Sequence, residues 1–456
     1  MGEVKNILAH HRAFHAEGHT MDVRFRIKQL NLLHHAIDQF EDKILAALHQ
    51  DLRKSRYEGY LTEIGIVRDE IRHVIRRLPK WSRPKRVKTP VYHWPAVSRI
   101  YPEPYGVALI IAPWNYPFQL TMAPLVAAMA AGNCAVLKPS EYAPATAEVI
   151  REIIESFYES NFISVVTGGV EKSTALLAEP FDYILFTGSP KVGKIVMKAA
   201  AENLVPVTLE LGGKSPCIVA PDARLKLTAK RIVSGKFINA GQTCIAPDYL
   251  LVHRSVAEEL VGHIRTYLER FYGADPKNSP DYPKIINRAH FDRLTALLDG
   301  ATAVTGGETD AEALYIAPTL LSDIDWSHPA MQDEIFGPIL PVLPYDNLDE
   351  AIKTVNQQTK PLALYLFSSQ DAVIEKVLRE IPFGGGTIND TLIHIATPYL
   401  PFGGVGTSGM GSYHGKAGFD TFTHYKSVMK RPFKFDAPFR YPPYPDNMNL
   451  IKTVLK

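Results

Sequence analysis

Apolar positions in the first eighty residues recur at helical spacing. Ile27, Leu30, Leu33, Ile37, Phe40, Ile44 and Leu48 form one stripe of an amphipathic helix. A second helical run covers about Leu61 to Leu78. Between Pro79 and Pro104 the pattern turns to proline, basic residues and β-formers, ending in the strand-like AVSRIYPEP. This segment reads as an arm that leaves the domain. GVALIIA, from Gly106, is a continuous apolar run, as expected for a strand buried on both faces. A helix from Phe118 to Ala131 follows, closed by Gly132. Then come the strand CAVLK, a helix over about Pro144 to Phe157, the strand FISVV, a short helix and the strand DYILF. GSPKVG leads into a helix from Lys191 to Ala201, before the strand PVTLEL. Such alternation predicts a parallel sheet with helices on both faces. After Leu211-Gly212-Gly213 it resumes as CIVA, a helix (Leu225 to Ile238), YLLV and a helix (Val256 to Phe271). ILPVLPY, a helix near Glu350 to Asn356, ALYLF and a helix near Ala372 to Arg379 complete a second α/β domain. GGGTIND and PFGGVGTSGMG punctuate the chain, and FDTFTHYKSVM reads as one more β-rich segment.

Composition bounds the class. A chain of 456 residues, 46% hydrophobic and 21% charged, holds two or three globular domains. The net charge of +2 gives no case for nucleic acid or an anionic membrane. The basic run Lys80 to Lys88 reads as a solvated connection. Cys134, Cys217 and Cys244 form no C-x-x-C pair, which argues against a disulfide framework or a zinc site and for a reducing compartment. The N-terminus lacks a signal-peptide core, and Asn6 stands where a myristoylation motif needs Ser or Thr. No apolar run is long enough to span a bilayer. These features predict a cytoplasmic protein without a membrane anchor. His10, His11, His34 and His35 show no metal-ligand spacing and read as surface histidines.

Five stretches carry candidate chemistry. FINAGQTC places Cys244 on a short connection between a helix and a strand, where it can be a nucleophile or a buried small hydrophobe. GSPKVG joins a strand to a helix N-terminus, a setting that favours phosphate. It lacks the middle glycine of the Rossmann fingerprint, and Ile195 stands where a P-loop needs Ser or Thr. KPSE puts Lys138 and Glu141 at a strand's C-terminal end, where open α/β sheets bind ligands; an exposed helix-capping turn is the other reading. PWNYP fixes Asn115 between prolines, as a stiff turn or as an amide donor to an oxyanion. LELGG sets Glu210 in an apolar strand, as a buried ion-pair member or as a base of raised pKa.

Together PWNYP, KPSE, FTGS, LELGGKSP, FINAGQTC, EIFGP and PFGGVGTSGMG stand in the order found in the aldehyde dehydrogenase superfamily. The resemblance covers nearly the whole chain. It is closest to the class 3 branch, through GSYHGKAGFDTFTHYKSV, YLTEIG and the short N-terminal region. It implies an α/β fold with a Rossmann-like NAD(P)-binding domain (1–81 and 104–209), a catalytic domain (210–418), an oligomerisation β-arm (82–103 with 419–435) and a C-terminal tail (436–456). Cys244 would attack the aldehyde, with the oxyanion between the Asn115 amide and the Cys244 N–H. Loss of hydride would leave a thioester, hydrolysed by water that Glu210 activates. The adenosine ribose would fall to Lys138 and Glu141, the pyrophosphate to Gly188, Ser189 and Gly193. The nicotinamide ribose would fall to Glu334, with Phe336 beside the ring. Class 3 members are typically homodimers.

The resemblance implies NAD as cofactor, with NADP possible: Glu141 repels a 2′-phosphate, and Lys138 softens that repulsion. The expected substrate is a medium- or long-chain aliphatic or aromatic aldehyde; no metal is expected. Two alternatives stay open, a coenzyme A-acylating enzyme and a catalytically silent nucleotide-binding scaffold. His414 could line the site or make a structural hydrogen bond. No group that would lower the Cys244 pKa is evident in the sequence.

Overall fold

Two largely parallel sheets organise the computed structural model, which describes residues 2–436, 440–444 and 448–454. The first sheet runs, edge to edge, Gly409–Met410, Val207–Glu210, Tyr183–Thr187, Val107–Ile111, Cys134–Lys138 and Ile163–Val165. Only the Gly409–Met410 edge is antiparallel. The chain builds outward from Val107–Ile111 in one direction, crosses back, and builds outward in the other. This is the doubly wound Rossmann-like arrangement, and its crevice opens beyond the C-terminal ends of Val107–Ile111 and Tyr183–Thr187. Every residue of those two strands is buried, which is why they read as unbroken apolar runs.

Helices cover this sheet. Gln119–Ala131 is buried on every side, matching its all-round apolar sequence, and Gly132 ends it at φ 97°. The long helix Val23–Leu52 is capped by the Asp22 side chain, which accepts from the Arg24 N–H, and ends at Arg53 in the left-handed region.

The second sheet runs Thr302–Thr305, Thr319–Ser322, Ile339–Tyr345, Tyr249–His253, Pro216–Val219, Ala363–Phe367 and Gly385–Ile388. All neighbours are parallel except the Thr302–Thr305 edge. A separate antiparallel sheet joins Lys85–Val87, Val97–Pro104 and Thr423–Lys430, with Thr423 opposite Pro104 and Lys430 opposite Val97. The tail expected over 436–456 lies partly outside the described residues.

Three local expectations differ. GGGTIND does more than punctuate: it supplies the edge strand Gly385–Ile388, because parallel pairing with Ala363–Phe367 outweighs the weak strand preference of glycine. Phe419, Asp420 and Thr421 of FDTF belong to a helix, Gly415–Thr421, with Phe422 as its C-cap, not to the β-rich segment. That helix packs on Gln119–Ala131 so closely that a Cβ on Gly418 would lie 3.1 Å from the Ala127 Cβ. His11 is a buried histidine rather than a surface one. Its Nδ1 lies 2.9 Å from the Ile7 carbonyl, and burial lowers its pKa.

Candidate active site

Glu210 is the last residue of the strand Val207–Glu210 and pairs with Gly409 across the sheet edge. Its carboxyl group is buried, and neither oxygen has a hydrogen-bond partner among the described residues. Burial raises its pKa well above the usual carboxylate range. An unpaired buried carboxyl is costly, so its persistence marks a functional site.

Cys244 arrives from the second sheet's side. The helix Leu225–Phe237 ends in one tight turn, Ile238–Gly241. Within it Asn239 and Ala240 both adopt φ 51° and Gly241 φ 73°. Position 241 admits only glycine, since a Cβ there would lie 2.3 Å from the Gly337 carbonyl oxygen. Three consecutive left-handed residues reverse the chain and deliver Cys244 just before the strand Tyr249–His253. Such strain is found where function fixes the backbone. Cys244 is partly accessible, whereas Cys134 and Cys217 are fully buried. Burial pushes the Cys244 thiol pKa up, and the nearby carboxyl groups of Glu334 and Glu210 add to the rise. The backbone N–H groups of Cys244 and Ile245 oppose that rise but do not reverse it.

Asn115 follows the central strand Val107–Ile111, at the crevice. Its side-chain N–H donates to the Gln242 carbonyl at 3.1 Å, two residues before Cys244. An amide carries two such hydrogens, so one remains for a ligand oxygen. Tyr116 and Thr243 join hydroxyls at 2.6 Å, and the Tyr365 hydroxyl donates to the Ile245 carbonyl at 2.5 Å. The nucleophile loop is thereby pinned on both sides of Cys244.

Cys244 and Glu210 line one cavity of about 640 Å³. Its walls are mainly apolar: Leu61, Leu120, Leu227, Ile238, Phe271, Leu392, Ile395 and Phe402 among them, with Asp69, Lys230, Arg231 and Asp390 also lining it. His414 is not part of this lining. It is buried at φ 78°, stacks on Tyr413 at 4.2 Å between centroids, and burial lowers its pKa to about 4.

The other sequence-expected residues divide into two groups. Glu334 sits within electrostatic reach of Cys244, and burial followed by the charge of Asp248 raises its pKa to about 8. Phe336, at φ 52°, meets the Trp114 ring at 5.3 Å. Lys138, Glu141, Gly188, Ser189 and Gly193 lie apart from the cavity lining: Lys138 ends one strand of the first sheet, Glu141, Gly188 and Ser189 lie on the turns after two of its strands, and Gly193 is in the first turn of the helix Pro190–Glu202. Lys138 is buried, donating to the Pro139 carbonyl at 2.9 Å and to Glu141 at 3.2 Å, while Glu141 is exposed. Ser189 caps the helix Pro190–Glu202, accepting from the Val192 N–H at 3.4 Å. A carboxylate, a buried ammonium and a helix N-terminus at the C-terminal edge of a doubly wound sheet form a donor and acceptor set that fits a dinucleotide.

Residues 3–428 match the family model described as the aldehyde dehydrogenase family. The chain belongs to that family. It is therefore an oxidoreductase that oxidises an aldehyde, with NAD or NADP as the hydride acceptor, and it is close to the class 3 branch. It is 51% identical over 447 residues to the 4,4'-diaponeurosporen-aldehyde dehydrogenase of Staphylococcus aureus, covering 98% of this chain and 97% of that one. It is 46% identical over 450 residues to the mouse "Aldehyde dehydrogenase, dimeric NADP-preferring", covering 98% and 99%. A solved structure described as the substrate-bound state of Staphylococcus aureus AldH superposes with a TM-score of 0.98 at 49% identity, covering 99% of both chains.

Sequence reasoning missed Tyr116, Thr243, Gln242 and Tyr365, and the charged residues Lys54, Glu58 and Glu63 that stand behind Asn115. The one signal for the last three was charge at buried positions, on helical turns for Glu58 and Glu63 and on the connection after Leu52 for Lys54, which periodicity alone does not separate from a solvated face.

Proposed function

We propose that Cys244 is the nucleophile of an NAD(P)-dependent dehydrogenase acting on apolar aldehydes. The observation that carries this reading is the cavity itself: mainly apolar walls close on a reachable thiol and a buried, unpaired carboxyl. Cys244 Sγ, its proton passed to water, attacks the aldehyde carbon; the C=O π bond opens and a thiohemiacetal oxyanion forms. The oxyanion takes the free Asn115 amide hydrogen and the Cys244 backbone N–H, both fixed before reaction. A nicotinamide held beside Glu334 and Phe336 would supply the hydride acceptor, and the acyl group would remain on Cys244 as a thioester. Glu210 then removes a proton from water, which attacks that thioester. Its raised pKa makes it a stronger base than an exposed carboxylate, and among the described residues no hydrogen-bond partner competes with water for it.

We read Lys138 and Glu141 as the ribose end of the cofactor site, Gly188, Ser189 and Gly193 as its phosphate end, and Glu334 with Phe336 as its nicotinamide end. The division into a cofactor domain, a catalytic domain and an arm at the boundaries expected above belongs to the same reading. The arm leaves Tyr425, Val428 and Met429 exposed, which supports a homodimer. The mouse relative is named as dimeric. Among the described residues no helix is long and apolar enough to cross a membrane, and we place the enzyme in the cytoplasm.

The cavity's volume and mainly apolar lining support medium- and long-chain aliphatic or aromatic aldehydes as substrates. The test is a series of straight-chain and aromatic aldehydes assayed with NAD and with NADP. kcat/KM should rise with chain length, and Cys244→Ala should abolish NADH formation. Turnover retained by Cys244→Ala, or a preference for small polar aldehydes, overturns the assignment.

A further inference from the structure

Behind Asn115 lies a charged cluster that belongs to neither the cavity lining nor the cofactor turns. Lys54 follows the helix Val23–Leu52, and Glu63 stands in a π-helical turn, Tyr60–Ile64. Both side chains are fully buried and pair at 2.6 Å. Lys54 Nζ also donates to the Asn115 carbonyl at 3.0 Å and lies 3.9 Å from the centre of the Tyr116 ring. The other oxygen of Glu63 accepts the N–H groups of Phe118 and Gln119, at 2.9 and 3.0 Å. One ion pair therefore grips the backbone on both sides of Tyr116-Pro117.

Glu58, from the same segment, accepts the Asn239 N–H at 2.9 Å. The Asn239 amide in turn donates to the carbonyls of Asn115, at 2.8 Å, and Gln242, at 3.0 Å. The loop that carries Asn115 and the loop that carries Cys244 are thus tied to each other and to one buried charged layer. Stability does not account for such a pair, because desolvating two charges consumes most of what their attraction returns. Fixed geometry does account for it. Apart from the Lys54 contact with the Tyr116 ring, the hydrogen bonds described above that these side chains make beyond the ion pair go to backbone groups of the two loops.

We propose that Lys54 and Glu63 are positioning residues, clamping the Asn115 peptide so that its side-chain amide and the Cys244 N–H converge on one oxygen. This rests on the reading of Asn115 as an oxyanion donor. Neither residue touches substrate or cofactor in this role, so the effect of losing them falls on kcat and not on cofactor binding.

The test uses the full-length enzyme. Lys54→Met combined with Glu63→Gln removes both charges of the pair and keeps an acceptor for the Phe118 and Gln119 N–H groups; Glu58, whose carboxyl burial already pushes toward the neutral form, loses the one positive charge that opposed this. kcat should fall roughly 10- to 100-fold, the effect of a small misplacement at a catalytic centre. KM for NAD and the thermal midpoint should stay near those of the parent. In an Asn115→Ala background the same pair of changes should cost nothing further, because the group they position is gone. Lys54→Arg keeps the charge but replaces a compact ammonium by a longer planar head, and serves if the neutral variant does not fold. It should lower kcat with the same loss of additivity. Parental kcat in either variant, or a full additional loss in the Asn115→Ala background, overturns the proposal. A near-parental kcat for Asn115→Ala alone identifies the oxyanion reading as what failed, and the proposal falls with it.

Discussion

The carboxylate of Glu334 rests directly on the backbone of Gly212: a Cβ at that position would lie 1.9 Å from Oε2. Gly212 follows the strand that ends in Glu210, so this contact links the nicotinamide end of the proposed cofactor site to the proposed base. Gly212 has no left-handed φ, so alanine is compatible with the backbone and the conflict is with Glu334 alone. Gly212→Ala should displace the Glu334 carboxyl and raise KM for NAD about tenfold, the order of one hydrogen bond. The thermal midpoint should move little. Steady-state kinetics with varied NAD checks this; an unchanged KM would separate Glu334 from cofactor binding.

Glu210→Gln separates the two halves of the reaction. Glutamine fills the same buried space but cannot take a proton from water. Acylation of Cys244 should persist and hydrolysis should slow about 10²- to 10⁴-fold, the usual worth of a positioned base. Stopped-flow mixing with NAD and aldehyde should then show a burst of about one NADH per site and almost no steady state. A lost burst would assign Glu210 to thiol deprotonation instead. Hydroxylamine should release the trapped acyl group.

The alternation of apolar strands and helices made both sheets legible, because strands buried on two faces leave an unbroken apolar signature in the chain. Cys244, Glu210 and Asn115 stood out as candidates only jointly: each has a bland reading alone, and it is the succession of motifs that points to one site. The turn that presents Cys244 was not legible. Three left-handed residues, two of them not glycine, contradict local preference and are held by long-range contacts, such as the Glu58 carboxylate on the Asn239 N–H. Lys54 and Glu63 were illegible for a similar reason. They act on Asn115 from 61 and 52 positions away in sequence, and no local period encodes that reach.

The thiol of the free enzyme should be sluggish. Burial and two neighbouring carboxyl groups raise the Cys244 pKa, so the thiolate is scarce at pH 7. Carbamidomethylation of Cys244 by iodoacetamide should therefore run slower than that of free cysteine at pH 7. It should still be accelerating above pH 9, where free cysteine is already levelling off near its pKa of about 8.5. Mass-spectrometric mapping of the labelled peptide against time and pH reads this directly. Fast labelling at pH 7 would show that a group on the enzyme already stabilises the thiolate before cofactor arrives.

Glu70 provides a test of electrostatics away from the chemistry. It is buried in the helix Gly65–Trp81 and accepts the Gly415 N–H at 2.7 Å, holding the turn next to His414. Burial raises its pKa to about 7, against an ordinary carboxyl value of 4.5, with the Gly415 hydrogen bond opposing the rise. The sign follows from proton linkage. Between about pH 4.5 and 7 the folded protein holds this proton and the unfolded chain does not. The contribution to stability is therefore complete below the unfolded pKa and is lost as pH rises through the folded one. The difference is roughly 3 kcal/mol at full loss, at about 1.4 kcal/mol per pKa unit. Glu70→Gln keeps the acceptor for the Gly415 N–H and removes the titration. Urea midpoints measured from pH 5 to 8 should fall with pH in the parent and fall less steeply in Glu70→Gln. The variant should be the more stable protein at pH 8, while its kcat stays near that of the parent. Parallel pH dependences in the two proteins would mean that Glu70 stays charged in its buried site, with the Gly415 N–H outweighing desolvation.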